Sequence, residues 1–249
     1  MIQIIDLHNS FNGTQVLKGV SLEIPRGELL ALIGRSGLGK SVLLKHVVGL
    51  LKGDRGRVMI DSQDISRLRG KPLERLRQKF GFLFQGGALF DSLTVFENVA
   101  FPLREKMRKT ESQVREMVFH ELEQVGLKQS DAVKYPAELS GGMRKRVALA
   151  RALITEPEIM LFDEPTTGLD PMMAGTILHY IKTSHERLRF TGIIVTHEIP
   201  RSFDIVQKVA MLHEGAILTY ATPEEILRHE NPMVRQFING GLNAPVYQT

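Results

Sequence analysis

The feature that most constrains this chain is the run Gly34-Arg35-Ser36-Gly37-Leu38-Gly39-Lys40-Ser41, which fits the phosphate-loop pattern G-x-x-x-x-G-K-[ST]. An apolar stretch, Leu29–Ile33, precedes it and a helix-period segment, Lys40–Leu51, follows, the context that the pattern requires. Glycines let backbone N–H groups turn inward on phosphate oxygens, and the start of a helix adds positive potential. In such a loop Lys40 neutralises the β and γ phosphates and the Ser41 hydroxyl ligates Mg²⁺. By itself the loop says that a nucleoside triphosphate, expected to be ATP, is held.

Strand-like runs recur at Gln3–Leu7, Ser21–Ile24, Leu29–Ile33, Arg57–Ile60, Phe80–Phe84, Ile159–Phe162, Gly192–Thr196 and Val209–His213. Helix-period segments fall at Lys40–Leu51, Val95–Lys106, Glu111–Val125, Gly142–Thr155 and Met172–Arg189. Strands alternating with helices predict an α/β fold with a mainly parallel sheet, here a P-loop NTPase core. The strand-rich early part predicts a small antiparallel β subdomain. Between Gln85 and Leu139 strand signals stop, so a helical subdomain, about 86–156, is expected to be inserted in the core. Thr110 is a candidate N-cap for the helix that opens at Glu111. One domain, 1–239, is followed by an expected C-terminal extension, 240–249.

Zero cysteines exclude a disulfide framework, thiolate metal sites and thiol catalysis. No apolar run approaches the roughly 18 to 20 residues that cross a bilayer. Met1-Ile2-Gln3-Ile4-Ile5-Asp6-Leu7 has no basic region ahead of an apolar one, so residence in the cytosol is expected. The formal charge of +4 fits a slightly cationic surface, or attraction to nucleic acid or to the anionic inner leaflet of a membrane. Charge alone does not choose.

Ile159-Met160-Leu161-Phe162-Asp163-Glu164 is an apolar strand that delivers two carboxylates to the sheet edge. Asp163 is expected to hold Mg²⁺ through water, and Glu164 to orient and deprotonate the attacking water. Leu139-Ser140-Gly141-Gly142-Met143 then makes a resemblance specific. It resembles the signature of ABC ATPases, LSGGQ in most relatives, with Met143 in place of the usual Gln. Ser140 and the Gly141 and Gly142 amides form a second phosphate nest at a helix start. In ABC ATPases the signature closes over ATP held by the opposite subunit, so the resemblance implies a homodimer with two composite sites.

The resemblance also gives roles to single residues. Gln85 matches the Q-loop glutamine that touches Mg²⁺ and the lytic water, and His197 matches the switch histidine of the γ-phosphate. Asp170 matches the D-loop and is expected to organise an interface. Phe11 stands where ABC proteins carry an aromatic against adenine, with Phe for the commoner Tyr; a core phenylalanine is the alternative. Val16 flanks the same position. Val42 replaces a threonine common in relatives, which removes one α-phosphate hydroxyl contact but leaves the backbone amide.

The segment Phe84–Leu103, the LSGGM form and the stretch Asn231–Gly240 together resemble ATPases of the Mce/Mla lipid-transport group. That likeness implies phospholipid traffic in a Gram-negative envelope, at the cytoplasmic face of the inner membrane. It implies separate permease subunits, MCE-type substrate-binding subunits and small accessory cytoplasmic subunits. An importer of a polar solute such as amino acids shares every catalytic motif. An ABC ATPase acting on nucleic acid usually carries zinc cysteines, coiled-coil insertions or two fused ATPase domains, so no nucleic-acid partner is expected. The phenylalanine-rich 88–103 segment suits a groove for a permease helix or, equally, the core of the helical subdomain.

Overall fold

The computed structural model describes residues 1–107 and 109–242. The chain divides into two compact units, Met1–Arg77 with the chain from Thr191 onward, and the intervening Gln78–Phe190.

The first unit opens with β1 (Ile2–Phe11) and β2 (Thr14–Ile24), antiparallel and joined at Asn12-Gly13, where φ is 48° and 78°. Two successive positive φ values match the twist of a two-residue hairpin, which Asn-Gly adopts with little strain. β2 starts seven residues earlier than the apolar pattern predicts. Gly19, at φ 84°, accompanies a register shift that breaks the alternation there. β3 (Leu29–Ile33) is buried throughout and leads into α1 (Lys40–Val47). That helix stops short of the expected Leu51. Gly49 turns left-handed at φ 71°, the Leu50 and Leu51 amides both fold back to the Lys45 carbonyl, and Arg77 donates to the Val48 and Gly49 carbonyls. β4 (Arg55–Ile60), β5 (Gln63–Asp64) and α2 (Gly70–Arg77) complete this segment, and the antiparallel sheet runs β2-β1-β4-β5.

The second unit contains β6 (Phe80–Leu83), α3 (Val95–Lys106), α4 (Glu111–Gln124), α5 (Gly141–Leu153), β7 (Ile159–Asp163) and α6 (Pro171–Leu188). Among the described residues no strand lies between Leu83 and Ile159. β6 and β7 pair in parallel, Phe80 opposite Ile159. Capping boxes start α3 and α4: Thr94 and Thr110 accept from the amides of Glu97 and Gln113, whose side chains accept in return. Fully buried Asn98 donates to the carbonyls of Phe90, Leu93 and Thr94 and accepts from the Phe90 amide, which fixes the loop before α3. Arg187 of α6 donates to both carboxylate oxygens of buried Glu121 on α4, at 3.0 and 2.9 Å.

The first unit then resumes with β8 (Thr191–Val195), β9 (Lys208–His213), β10 (Ala216–Ala221), α7 (Pro223–Leu227) and α8 (Pro232–Leu242). β3 pairs in parallel with both β8 and β9, and β10 is antiparallel to β9. The Gly27 amide donates to Thr191 Oγ1 and the Leu29 amide to Gln207 Oε1, which secure the entrance to β3. The segment expected as an extension, 240–249, begins inside α8, which continues to Leu242. Burial of Val234 and Ile238 anchors that helix against the roughly 1 kcal/mol that each helical glycine costs. Residues 243–249 lie outside the described residues.

Candidate functional site

The phosphate loop leaves the buried end of β3 and enters α1 through three glycines at positive φ: Gly34 at 144°, Gly37 at 79° and Gly39 at 94°. At Gly39 a Cβ would meet Val16 Cγ1 at 2.8 Å, and at Gly34 it would run into the Leu212 carbonyl. The loop is therefore confined by β2 and β9 on the sides where a side chain would project. Lys40 is buried and donates to the Gly34 carbonyl at 2.7 Å and the Arg35 carbonyl at 2.9 Å. Its ammonium thus stands inside the curl of the loop. α1 has no side-chain cap at Gly39 and no acid in its own first turn. Arg35, Ser36 and Gly37 are exposed, while Leu38, Ser41 and Val42 are half-buried.

His197 is exposed just past β8, and with Arg35 and with Met233 and Phe237 of α8 it lines a 480 Å³ pocket. Phe11 ends β1 with 42% of its surface exposed, so its ring is not a core residue.

In the second unit the two carboxylates stand where β7 ends. Asp163 is buried and Glu164 half-buried. Glu164 has φ 48°, a left-handed backbone that a non-glycine residue adopts only when its surroundings hold it there. They do. Glu164 Oε2 accepts from Gln85 Nε2 at 3.0 Å and from Thr167 Oγ1 at 2.8 Å. Lys145 of α5 donates to the Gln85 carbonyl and, at 3.4 Å, to the Glu164 carbonyl. Burial lowers the Lys145 pKa, opposed by the charges of Glu164 and Asp163.

Ser140 is the exposed N-cap of α5, its Oγ accepting from the Met143 amide at 3.3 Å. A Cβ on Gly142 would collide with the Met173 methyl of α6, and one on Gly141 would meet Leu169 at 3.7 Å. The signature turn therefore packs against the start of α6. Asp170 caps that helix, with Oδ1 accepting from the Met172 and Met173 amides at 3.0 and 2.9 Å. Its observed work is a cap.

β6 and the segment after Gln85 together line a groove of 490 Å³, with Phe80, Phe82, Phe84, Phe90 and Phe101 among its walls. Phe84, Phe90 and Phe101 are 37, 43 and 39% exposed, so these rings are not packed into an interior. Arg151 lies over the Phe90 ring at 5.6 Å and donates to the Gly87 and Ala88 carbonyls.

The structure thus brings Gln85 to Glu164, Lys40 into its own loop, Arg35 and His197 into the lining of one pocket, and Ser140–Gly142 to the start of α6. Sequence reasoning gave no site role to Thr167 or Lys145. Thr167 follows Glu164 by three residues in a Pro-Thr-Thr-Gly turn, and Lys145 is one cation in a basic run; neither type or spacing singles it out.

Residues 17–167 match the ABC transporter family. The chain is 42% identical over 245 residues to "Probable ribonucleotide transport ATP-binding protein mkl" of Mycobacterium leprae, covering 98% of this chain and 70% of the relative. It is 37% identical over 246 residues to "Intermembrane phospholipid transport system ATP-binding protein MlaF" of Haemophilus influenzae, covering 99% and 93%. Among solved structures, a dimeric ATP-binding cassette in a post-hydrolysis state bound to ADP and Pi is similar at TM-score 0.83 and 32% identity, over 90% of this chain and 99% of that one. The cbiO1 structure from Clostridium perfringens is similar at TM-score 0.83 and 32% identity, over 98% and 95%.

Proposed function

Because this chain belongs to the ABC transporter family and is an ATP-hydrolysing, ATP-binding subunit, we propose that it powers phospholipid transport between the two membranes of a bacterial envelope, where it maintains outer-membrane asymmetry. The observation that carries the lipid reading is the coextensive likeness to the Haemophilus phospholipid-transport ATPase, through 93% of that protein's length. A second reading, import of a polar solute such as a ribonucleotide, is favoured by the 42% identity to the mycobacterial protein, 70% of whose length is matched. Purifying the assembled complex from membranes and identifying the co-purifying molecule by mass spectrometry separates them. Bound phospholipid supports the first; a bound nucleotide or other polar solute in its place overturns it.

In the proposed mechanism Lys40 and the α1 amides hold the β and γ phosphates, and Phe11 stacks on the adenine. His197 contacts the γ-phosphate. Glu164 takes a proton from the attacking water as its oxygen bonds to the γ-phosphorus and the bond to the ADP oxygen breaks. Ser41, Asp163 and Gln85 offer oxygen donors, the type that Mg²⁺ prefers, and the Gln85 amide nitrogen is turned to Glu164. Bound Mg²⁺ would neutralise phosphate charge.

Ser140, Gly141 and Gly142 serve the nucleotide of a second copy, so the working unit is a homodimer. The dimeric relative bound to ADP and Pi supports this. No helix among the described residues is long and apolar enough to cross a membrane. Attachment at the cytoplasmic face of the inner membrane then runs through a permease helix seated in the phenylalanine groove. MCE-type and small accessory subunits complete the proposed assembly.

A further inference from the structure

We propose that Lys145 is a positioning residue for hydrolysis, tying the Gln85 carbonyl to the Glu164 carbonyl and so setting where the Glu164 carboxylate stands. The inference rests on the reading of Glu164 as the base. Only 7% of Lys145 is exposed, on the second turn of α5. A buried ammonium persists only where hydrogen bonds compensate its lost hydration. Both bonds that Lys145 makes go to main-chain carbonyls, of the Gln85 loop and of Glu164 itself.

Several ties therefore converge on one strained residue. Glu164 is held at its carbonyl by Lys145 and the Thr167 amide and at its carboxylate by Gln85 and the Thr167 hydroxyl, while its φ of 48° gives it little intrinsic preference for that place. Gln85 is engaged twice, its side chain on the Glu164 carboxylate and its carbonyl on Lys145. The same helix that carries Lys145 begins at Ser140. A shift at the Ser140 end is transmitted along one helix to the carbonyl of the base, and a shift of the Gln85 loop reaches the same ammonium. Lys145 is thus where signature and Q-loop movements meet the base.

The test measures steady-state ATP hydrolysis by the full chain in its assembled complex for Lys145→Met, Lys145→Arg and Glu164→Gln. Methionine fills similar volume but donates nothing. Lys145→Met is expected to lower kcat by about tenfold or more while KM for ATP stays within about twofold, and Lys145→Arg to recover most of kcat. Combining Gln85→Ala with Lys145→Met should lower kcat less than the product of the two single effects, because both act through Glu164.

Wild-type kcat in Lys145→Met, with Glu164→Gln inactive, overturns the positioning role alone. An active Glu164→Gln overturns the underlying base assignment. Equal loss in Lys145→Met and Lys145→Arg with raised KM also overturns the proposal, because it marks a general packing role. If Lys145→Met does not fold, Lys145→Gln is read instead: its amide reaches at most one carbonyl, so reduced kcat at unchanged KM supports the role and wild-type kcat overturns it.

Discussion

Thr167→Val tests how the Glu164 carboxylate is held. The Thr167 hydroxyl donates to Glu164 Oε2 at 2.8 Å, and Gln85 donates to the same oxygen at 3.0 Å. Valine keeps the β-branched shape and removes only the donor. A hydrogen bond to a charged group contributes about 1.5–3 kcal/mol. Gln85 is exposed and Thr167 half-buried, so water and the remaining amide recover part of the loss. The low end, about 1.5 kcal/mol, corresponds to roughly a tenfold fall in kcat. Because the hydroxyl serves the base, KM for ATP should stay within about twofold. Phosphate release at saturating ATP measures kcat, and titration with a fluorescent nucleotide measures affinity. Thr167→Ser, which keeps the hydroxyl, should stay near wild type. A Thr167→Val enzyme with kcat within twofold of wild type, or one impaired only in KM, refutes this account of the site.

Other perturbations follow from the same contacts. Arg187→Met leaves Glu121, only 4% exposed, without its cation, and should destabilise the fold by about 3–5 kcal/mol at neutral pH in urea melts. Burial raises the Glu121 pKa and Arg187 opposes that rise. An acid with a raised folded pKa binds its proton more tightly in the native state, so stability falls as pH climbs from the unfolded pKa to the folded one. Removing Arg187 widens that window, so the variant's deficit should be larger at pH 8 than at pH 5; an equal deficit at both contradicts the assignment. Ser140→Ala should abolish hydrolysis while monomer affinity for ATP is unchanged, and should cost about 1 kcal/mol of stability from the lost cap. Reduced affinity in the isolated monomer would show that the signature acts within its own chain. Phe90→Ser should uncouple hydrolysis from transport in the reconstituted complex while ATP binding persists, and unchanged transport would remove the groove's docking role.

Much of the fold was readable where one pattern dominates. β3 is buried at every position and both its ends were placed by the apolar run. The limits of α3 match the helix-period segment Val95–Lys106, and the structure adds a capping box of Thr94 and Glu97 at its start. Elements escaped where that signal is weak. β10 carries no strong alternation because its residues are nearly all half-buried, and α2 is short, charged and contains Pro72. α8 was not expected from the sequence, where Gly240-Gly241 favoured an extended arm; buried Val234 and Ile238 anchor the helix. At the candidate site, Gln85, Asp163, Glu164 and Ser140 could be proposed because motifs fix residue type and spacing together. Thr167 and Lys145 were not, because their roles come from hydrogen bonds to Glu164 that only the folded chain defines.

The central claim is that Glu164 is the base of a site completed by a second copy. Its most direct test is Glu164→Gln, measured for ATP-dependent dimer formation by size-exclusion chromatography and for phosphate release on the same sample. The account predicts a stable ATP-bound dimer with hydrolysis reduced by at least about a hundredfold. Hydrolysis at the wild-type rate, or a monomer that binds ATP without dimerising, would contradict it.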